Sequence, residues 1–213
     1  MQGKFRQPVS GFTHAAGALL SIVALIVMVT VDVRHKTAWN IVADSIFGSS
    51  LIMLYTASAL YHLLPLKEKG IDILRQLDHT MIFILIAGTY TPFCLVTLRG
   101  PWGWSMLTII WGLAIAGIIT KLTWKSAPRF VRVALYLLMG WLSLIMIYPL
   151  SQTAPPGTLF WLLIGGLFYT VGAIFYALKW PNPLPKILGF HEIWHLLVLG
   201  GSFSHFWAVF KYV

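Results

Sequence analysis

Seven stretches of roughly twenty mostly apolar residues, separated by short loops, constrain this chain more than any other feature. They fall at about 12–31, 40–64, 78–98, 103–120, 130–150, 158–178 and 188–210. A helix needs about 20 apolar residues to cross the hydrocarbon core of a bilayer. Inside that core, only segments that satisfy their own backbone hydrogen bonds persist. The spacing therefore predicts an all-α fold, a seven-transmembrane helix bundle that takes up residues 1–213 as one integral membrane domain. Composition agrees: 58% of the residues are hydrophobic and 10% charged, where soluble domains run near 45–50% and 25%. A soluble globular domain and a disordered chain are both excluded. Loop breakers stand where loops are needed, at Arg99-Gly100-Pro101, Pro155-Pro156-Gly157 and Pro181-Asn182-Pro183 with Pro185. Lys4 and Arg6 precede the first stretch as in a signal peptide, but no small-residue cleavage site follows, and the length suits a retained helix.

The charge of +9 reads as topological anchoring, and no nucleic-acid partner is expected. With the N-terminus and every second loop on one side, that side holds Lys4, Arg6, Lys67, Lys69, Arg75, Lys121, Lys125, Arg129, Arg132, Lys179 and Lys186. The other side holds Arg34, Lys36, Arg99 and Lys211. Lys and Arg are retained on the cytoplasmic side, so the N-terminus is expected inside and the C-terminus outside. Trp39, Trp102, Trp104, Trp124 and Trp180 fall near span ends, as an interfacial belt would place them. The single cysteine, Cys94, excludes an intrachain disulfide.

Ionisable residues inside a span are costly and face the bundle interior. Here they collect at one depth. His14 starts the first span, His62 ends the second, Asp78 and His79 open the third, and His191, Glu192 and His195 open the seventh. All lie toward the expected inner face. His191 and His195, spaced i, i+4, share one face of a helix, and His62 supplies a third nitrogen. Three imidazoles plus a water make the open coordination of a catalytic zinc. Asp78 would then hold and deprotonate that water, unless it merely caps the third span. Ser58, one turn deeper than His62, would bond a substrate group or another site residue, although serines in spans commonly serve packing. His79 points about 100° away from Asp78 and reads as structural. His35 and His205 lie toward the outer face and read as unrelated. Asp44 is an interior polar contact without a clear role. Pro92 should kink the third span.

His191-Glu192-Ile193-Trp194-His195 also matches H-E-x-x-H, the zinc protease signature with Glu as general base. An intramembrane metalloprotease is thus an alternative. It would need its third ligand from upstream, since His205 stands about 15 Å further along the helix axis.

Taken together, Ser58-x-x-x-His62, Asp78 and His191-x-x-x-His195 resemble the hallmark of the haemolysin III family, the bacterial branch of the progestin and adipoQ receptor superfamily. The stretch Leu77-Asp78-His79 through Ile86-Ala87-Gly88-Thr89-Tyr90-Thr91-Pro92 is similar to its most recognisable segment, and Tyr61-His62, Gly200-Gly201-Ser202 and His205-Phe206 extend the likeness. The resemblance covers essentially the whole chain. It implies seven helices with the N-terminus inside, a zinc held by His62, His191 and His195, Asp78 bonded to the zinc water, and Ser58 nearby. The superfamily's likeness to alkaline ceramidases implies hydrolysis of a lipid amide or ester in a bacterial plasma membrane, with membrane lipids as partners. The family's opening motif has acidic and Asn residues before a Thr-His pair. Here Thr13-His14 stand, with Gln7 and Ser10 in those places, so the opening segment is not carried over.

Three function classes follow: a zinc-dependent lipid hydrolase, a non-enzymatic receptor-like or homeostatic membrane protein with structural zinc, and a cytolysin. An integral bundle offers no convertible amphipathic segment for the last, and a family name is an association rather than a mechanism.

Overall fold

The computed structural model describes residues 5–124, 127–184 and 187–213. Lys4, Lys125, Pro185, Lys186 and the side chain of Arg129, all used in the sequence reading, lie outside the described set. Among the described residues the chain forms seven helices long and apolar enough to cross a membrane: α1 (Pro8–His35), α2 (Ala38–Leu63), α3 (Glu68–Thr97), α4 (Pro101–Thr123), α5 (Phe130–Thr153), α6 (Pro156–Leu178) and α7 (Phe190–Tyr212). It is a multi-pass membrane protein. Successive helices are antiparallel neighbours, and α1 closes against α7.

Local chemistry sets the ends. Pro8, Pro101 and Pro156 open α1, α4 and α6, where a missing N–H costs nothing and φ is already helical. Thr37 caps α2, and its backbone N–H donates to the Asn40 side chain at 3.3 Å. Gly100 turns the chain between α3 and α4 at φ 146°, a conformation few other residues adopt. Trp39 and Trp104 meet edge to face at 5.9 Å and Arg99 lies over Trp39 at 4.3 Å, a cluster at one end of the bundle. Trp124 and Trp180 follow the last turns of α4 and α6 at the other.

One expectation about the helices needs correction. α3 begins at Glu68, ten residues before the apolar stretch at 78–98, because a helix can continue into water on a face carrying Lys69, Asp72 and Arg75. Asp78 is thus nearly three turns inside the helix and caps nothing. Pro92 is followed by a π-helical turn at Phe93–Thr97, where Leu98 N–H donates to the Phe93 carbonyl at 2.8 Å. Such a turn is one of the ways a helix interruption is accommodated. In α5 the residues Leu142–Met146 tighten into a 3-10 segment ahead of Pro149, which has no N–H to offer the preceding turn.

Burial separates inner from outer helices. In the apolar windows of α2, α3 and α7, 56%, 61% and 44% of residues are buried, against 17–28% in the other four. The outer helices therefore turn most of their apolar surface toward lipid. Asp44 of α2 is indeed an interior contact, buried beside Asp32 of α1, whose carboxylate pairs with Lys36 at 3.3 Å. The turn into α4 is tight: a Cβ on Gly103 would lie 2.2 Å from the Cys94 carbonyl oxygen and 2.5 Å from that of Leu98. Backbone cannot yield as a flexible side chain does. Gly103→Ala is expected to cost about 1–3 kcal/mol, read as a lowered unfolding midpoint in detergent.

Candidate metal centre

The three inner helices bring their polar residues to one end of the bundle. His62 stands on the last turn of α2, and His191 and His195 stand on the first two turns of α7. One nitrogen of each lies within 4.8 Å of the others. The Nε2 atoms of His62 and His191 are 3.4 Å apart. Ligands about 2.0–2.1 Å from a tetrahedral ion stand about 3.4 Å from one another, so this pair already has the required spacing. The rings of His62 and His195 are 4.8 Å apart between centroids, and those of His191 and His195 4.7 Å.

Two of the imidazoles have their tautomers fixed from behind. His195 Nδ1 lies 3.2 Å from the Ser10 backbone carbonyl. A carbonyl only accepts, so Nδ1 carries the proton and Nε2 presents its lone pair. His62 Nδ1 faces the Gln7 side-chain oxygen, which directs His62 Nε2 to the cluster in the same way. Hydrogen bonding of the far nitrogen is how proteins orient imidazoles that bind metal. The donor set therefore fits an imidazole-favoured divalent ion.

Ser10 and Gln7 are the residues the sequence reading set aside. Its first span began at residue 12, whereas the helix begins at Pro8. A proline at the first helical position was the available signal. The N-terminal segment crosses the end of α2: Gln7 N–H donates to the His62 carbonyl at 2.9 Å, and Arg6 bonds the Tyr61 carbonyl and lies over its ring. His14 stacks on His195 with centroids 3.7 Å apart and rings 21° from parallel. Neither of its nitrogens has a hydrogen-bond partner within the described protein.

Asp78 lies beside this cluster on α3, buried, with the Ser58 side chain as its hydrogen-bonding neighbour. Glu192 has a different setting. One carboxylate oxygen accepts from Ser10 Oγ at 2.7 Å, and the other accepts the Gly189 N–H at 3.0 Å. Both oxygens tie the start of α7 to itself and to α1. That is a capping role, unlike the general base of H-E-x-x-H.

A cavity of about 400 Å³ runs from the cluster into the bundle. Ser58, Asp78, His191 and His195 line one end, and apolar residues of α3, α5, α6 and α7 line the rest. Along α6 its wall extends from Tyr176 to Leu159, about 25 Å at the helical rise. His79 and His205 also line it. His79 faces the cavity as Asp78 does. His205 lies on the cavity wall well inside the bundle, with Nδ1 bonded to the Gly201 carbonyl at 2.8 Å and its ring stacked on Tyr169.

Comparisons with known proteins agree with this architecture. Residues 3–206 match the family described as Haemolysin-III related. The chain is 45% identical to "Hemolysin-3" of Bacillus cereus over 208 residues, 96% of this chain and 90% of that protein. It is 41% identical to "Hemolysin-3 homolog" of Bacillus subtilis (strain 168) over 203 residues, 95% of this chain and 92% of that one. A more distant relative is the Homo sapiens "Monocyte to macrophage differentiation factor", 25% identical over 210 residues, 95% of this chain and 85% of that protein. With the hallmark residues gathered at one end of a seven-helix bundle and likeness along nearly its full length, the chain belongs to the haemolysin III-related family.

Proposed function

We propose that the protein is a zinc-dependent hydrolase of a lipid amide or ester, embedded in a bacterial plasma membrane with its N-terminus cytoplasmic. One observation carries the reading: a single cavity joins His191 and His195 of the three-histidine cluster, and a buried carboxyl, to a long apolar channel. Its volume is in the range of small-molecule sites, about 300–1,000 Å³, and its form suits an acyl chain whose linkage rests at the polar end. Zinc held by His62, His191 and His195 supplies Lewis-acid polarisation of a carbonyl and a lowered pKa for water. Ser10 and Gln7 keep the His195 and His62 lone pairs aimed at the ion. Asp78, steadied by Ser58, takes a proton from the attacking water and returns it to the leaving nitrogen or oxygen.

A purely structural zinc is closed by four protein ligands. Among the described residues no further His, Cys, Asp or Glu joins the three histidines, which supports an open position. The test is product analysis on purified full-length protein with a panel of lipid amides and esters, zinc-replete and chelated. Free fatty acid should form in the zinc-replete sample alone. No product from any lipid would overturn the reading.

The orientation has its own test. The basic residues gather at the histidine end, which supports an inner-leaflet position for that end. A reporter fused after Val213 should behave as external, and one inserted at 121–129 as cytoplasmic. The reverse pattern would put the site at the outer leaflet.

A further inference from the structure

Beside the histidine cluster, two helices deliver positive charge and a third delivers an imidazole to one place, with no ion pair there among the described residues. One turn deeper, α3, α4 and α5 touch at a common point. A Cβ on Gly117 of α4 would lie 2.3 Å from the Phe83 ring of α3, and that ring packs on Tyr136 of α5 at 4.7 Å between centroids. Lys121 follows Gly117 by one turn, His79 precedes Phe83 by one turn, and Arg132 precedes Tyr136 by one turn. In each helix that step leads toward the histidine end, so the three side chains converge. Tyr136 O–H donates to the His79 carbonyl at 3.0 Å, which fixes the register. The charges of Lys121 and Arg132 act on His79 and on each other.

Neither cation is in an ion pair within the described protein. The ion pairs there are Lys36–Asp32 and Arg75–Asp72; Lys121 and Arg132 belong to neither, and Asp78 is engaged with Ser58. Arg132 gives one N–H to the Ala127 carbonyl, and its fork holds four more donors. His79 Nδ1 is buried and unpartnered. A basic residue that merely anchors a span stretches its head to water, but Lys121 is 8% exposed. Arg132 and His79, but not Lys121, line the cavity beside Asp78.

We propose that Arg132 and His79, with the Lys121 charge close behind on α4, form an anion site at the polar end of the cavity and that it receives the phosphate of a lipid headgroup. Like charges held together without an acidic partner call for an anion, and a guanidinium fork with an ammonium suits phosphate oxygens. Building on the lipid-hydrolase reading, this names the substrate class as an anionic glycerophospholipid. Its phosphate rests on the α3–α4–α5 side while its acyl linkage faces the histidines.

Binding tests this without turnover. Full-length protein in neutral detergent micelles is titrated with fluorescent phosphatidate and with diacylglycerol of the same acyl chains. Wild type should bind phosphatidate at least about 10-fold more tightly. Arg132→Gln and Lys121→Gln should each lower that affinity about 10-fold and leave diacylglycerol binding unchanged, whereas Arg132→Lys should stay within about threefold. Unfolding midpoints identify any variant that fails to fold, and the other variant then carries the comparison. Equal binding of both lipids by wild type, or unchanged phosphatidate affinity in the folded variants, would overturn the proposal. Displacement of phosphatidate by millimolar inorganic phosphate would overturn the headgroup assignment in favour of a soluble anion. A protein that prefers phosphatidate yet cleaves no lipid contradicts the hydrolase reading alone. One that cleaves neutral and phosphate-bearing lipids equally contradicts the anion site alone.

Discussion

His195→Ala is expected to abolish stoichiometric metal binding and to lower the unfolding midpoint on the order of 10 °C. The residue is buried, faces His62 and His191, and is oriented by the Ser10 carbonyl. Removing it leaves two imidazoles, from α2 and α7, too few to hold the ion tightly. A ligand present at about a thousand times its Kd stabilises the folded state by about 4 kcal/mol, and in a domain of this size each kcal/mol moves the midpoint by about 2–4 °C. His62→Ala and His191→Ala should behave alike, since the ion would link α2 to α7 and, through Ser10 and Gln7, to α1. Zinc content and thermal unfolding in detergent check this together. Loss of metal with no loss of stability would mean that the ion does not join these helices.

Asp78→Asn is expected to lower turnover by about 10²–10⁴-fold, the range contributed by positioned acid–base groups. Metal affinity should fall by no more than about 10–100-fold, as for groups that act behind the ligands. The amide keeps the shape of the side chain and cannot accept and return a proton. Glu192→Gln is the contrasting variant. Glu192 is bound to Ser10 Oγ and the Gly189 N–H, so the change should cost about 1 kcal/mol of stability and leave turnover nearly intact. Lipid-amide or lipid-ester hydrolysis rates for the two variants, each compared at full zinc loading, provide the check. Full activity in Asp78→Asn with none in Glu192→Gln would replace this mechanism with the H-E-x-x-H one.

The number of helices and the residues they bring together could be read from the sequence because both follow from burial in lipid. Apolar runs mark the spans, and ionisable groups inside them must turn inward, so depth along each span locates His62, His191 and His195 relative to one another. Hydropathy does not report where a helix stops. α3 continues through Glu68–Leu77 in a polar sequence, so hydropathy alone leaves open a capping role for Asp78. α1 begins at Pro8, which hid Gln7 and Ser10 behind a late start. The contact from Ser10 to His195 uses a backbone carbonyl, a group every residue has, and leaves no mark in a sequence. The cavity contact of His205 is hidden for a related reason. Spacing along α7 gives its depth but not the course of the cavity, which depends on how α5 and α6 stand away from α7.

The most direct test of the metal centre is zinc X-ray absorption on purified full-length protein that has not met a chelator. The geometry predicts about one zinc per chain, with three imidazole nitrogens near 2.0–2.1 Å and one further light ligand. It also predicts loss of that signal in His195→Ala. A protein purified without stoichiometric metal, or one whose zinc keeps its imidazole shell after His195→Ala, would contradict the account.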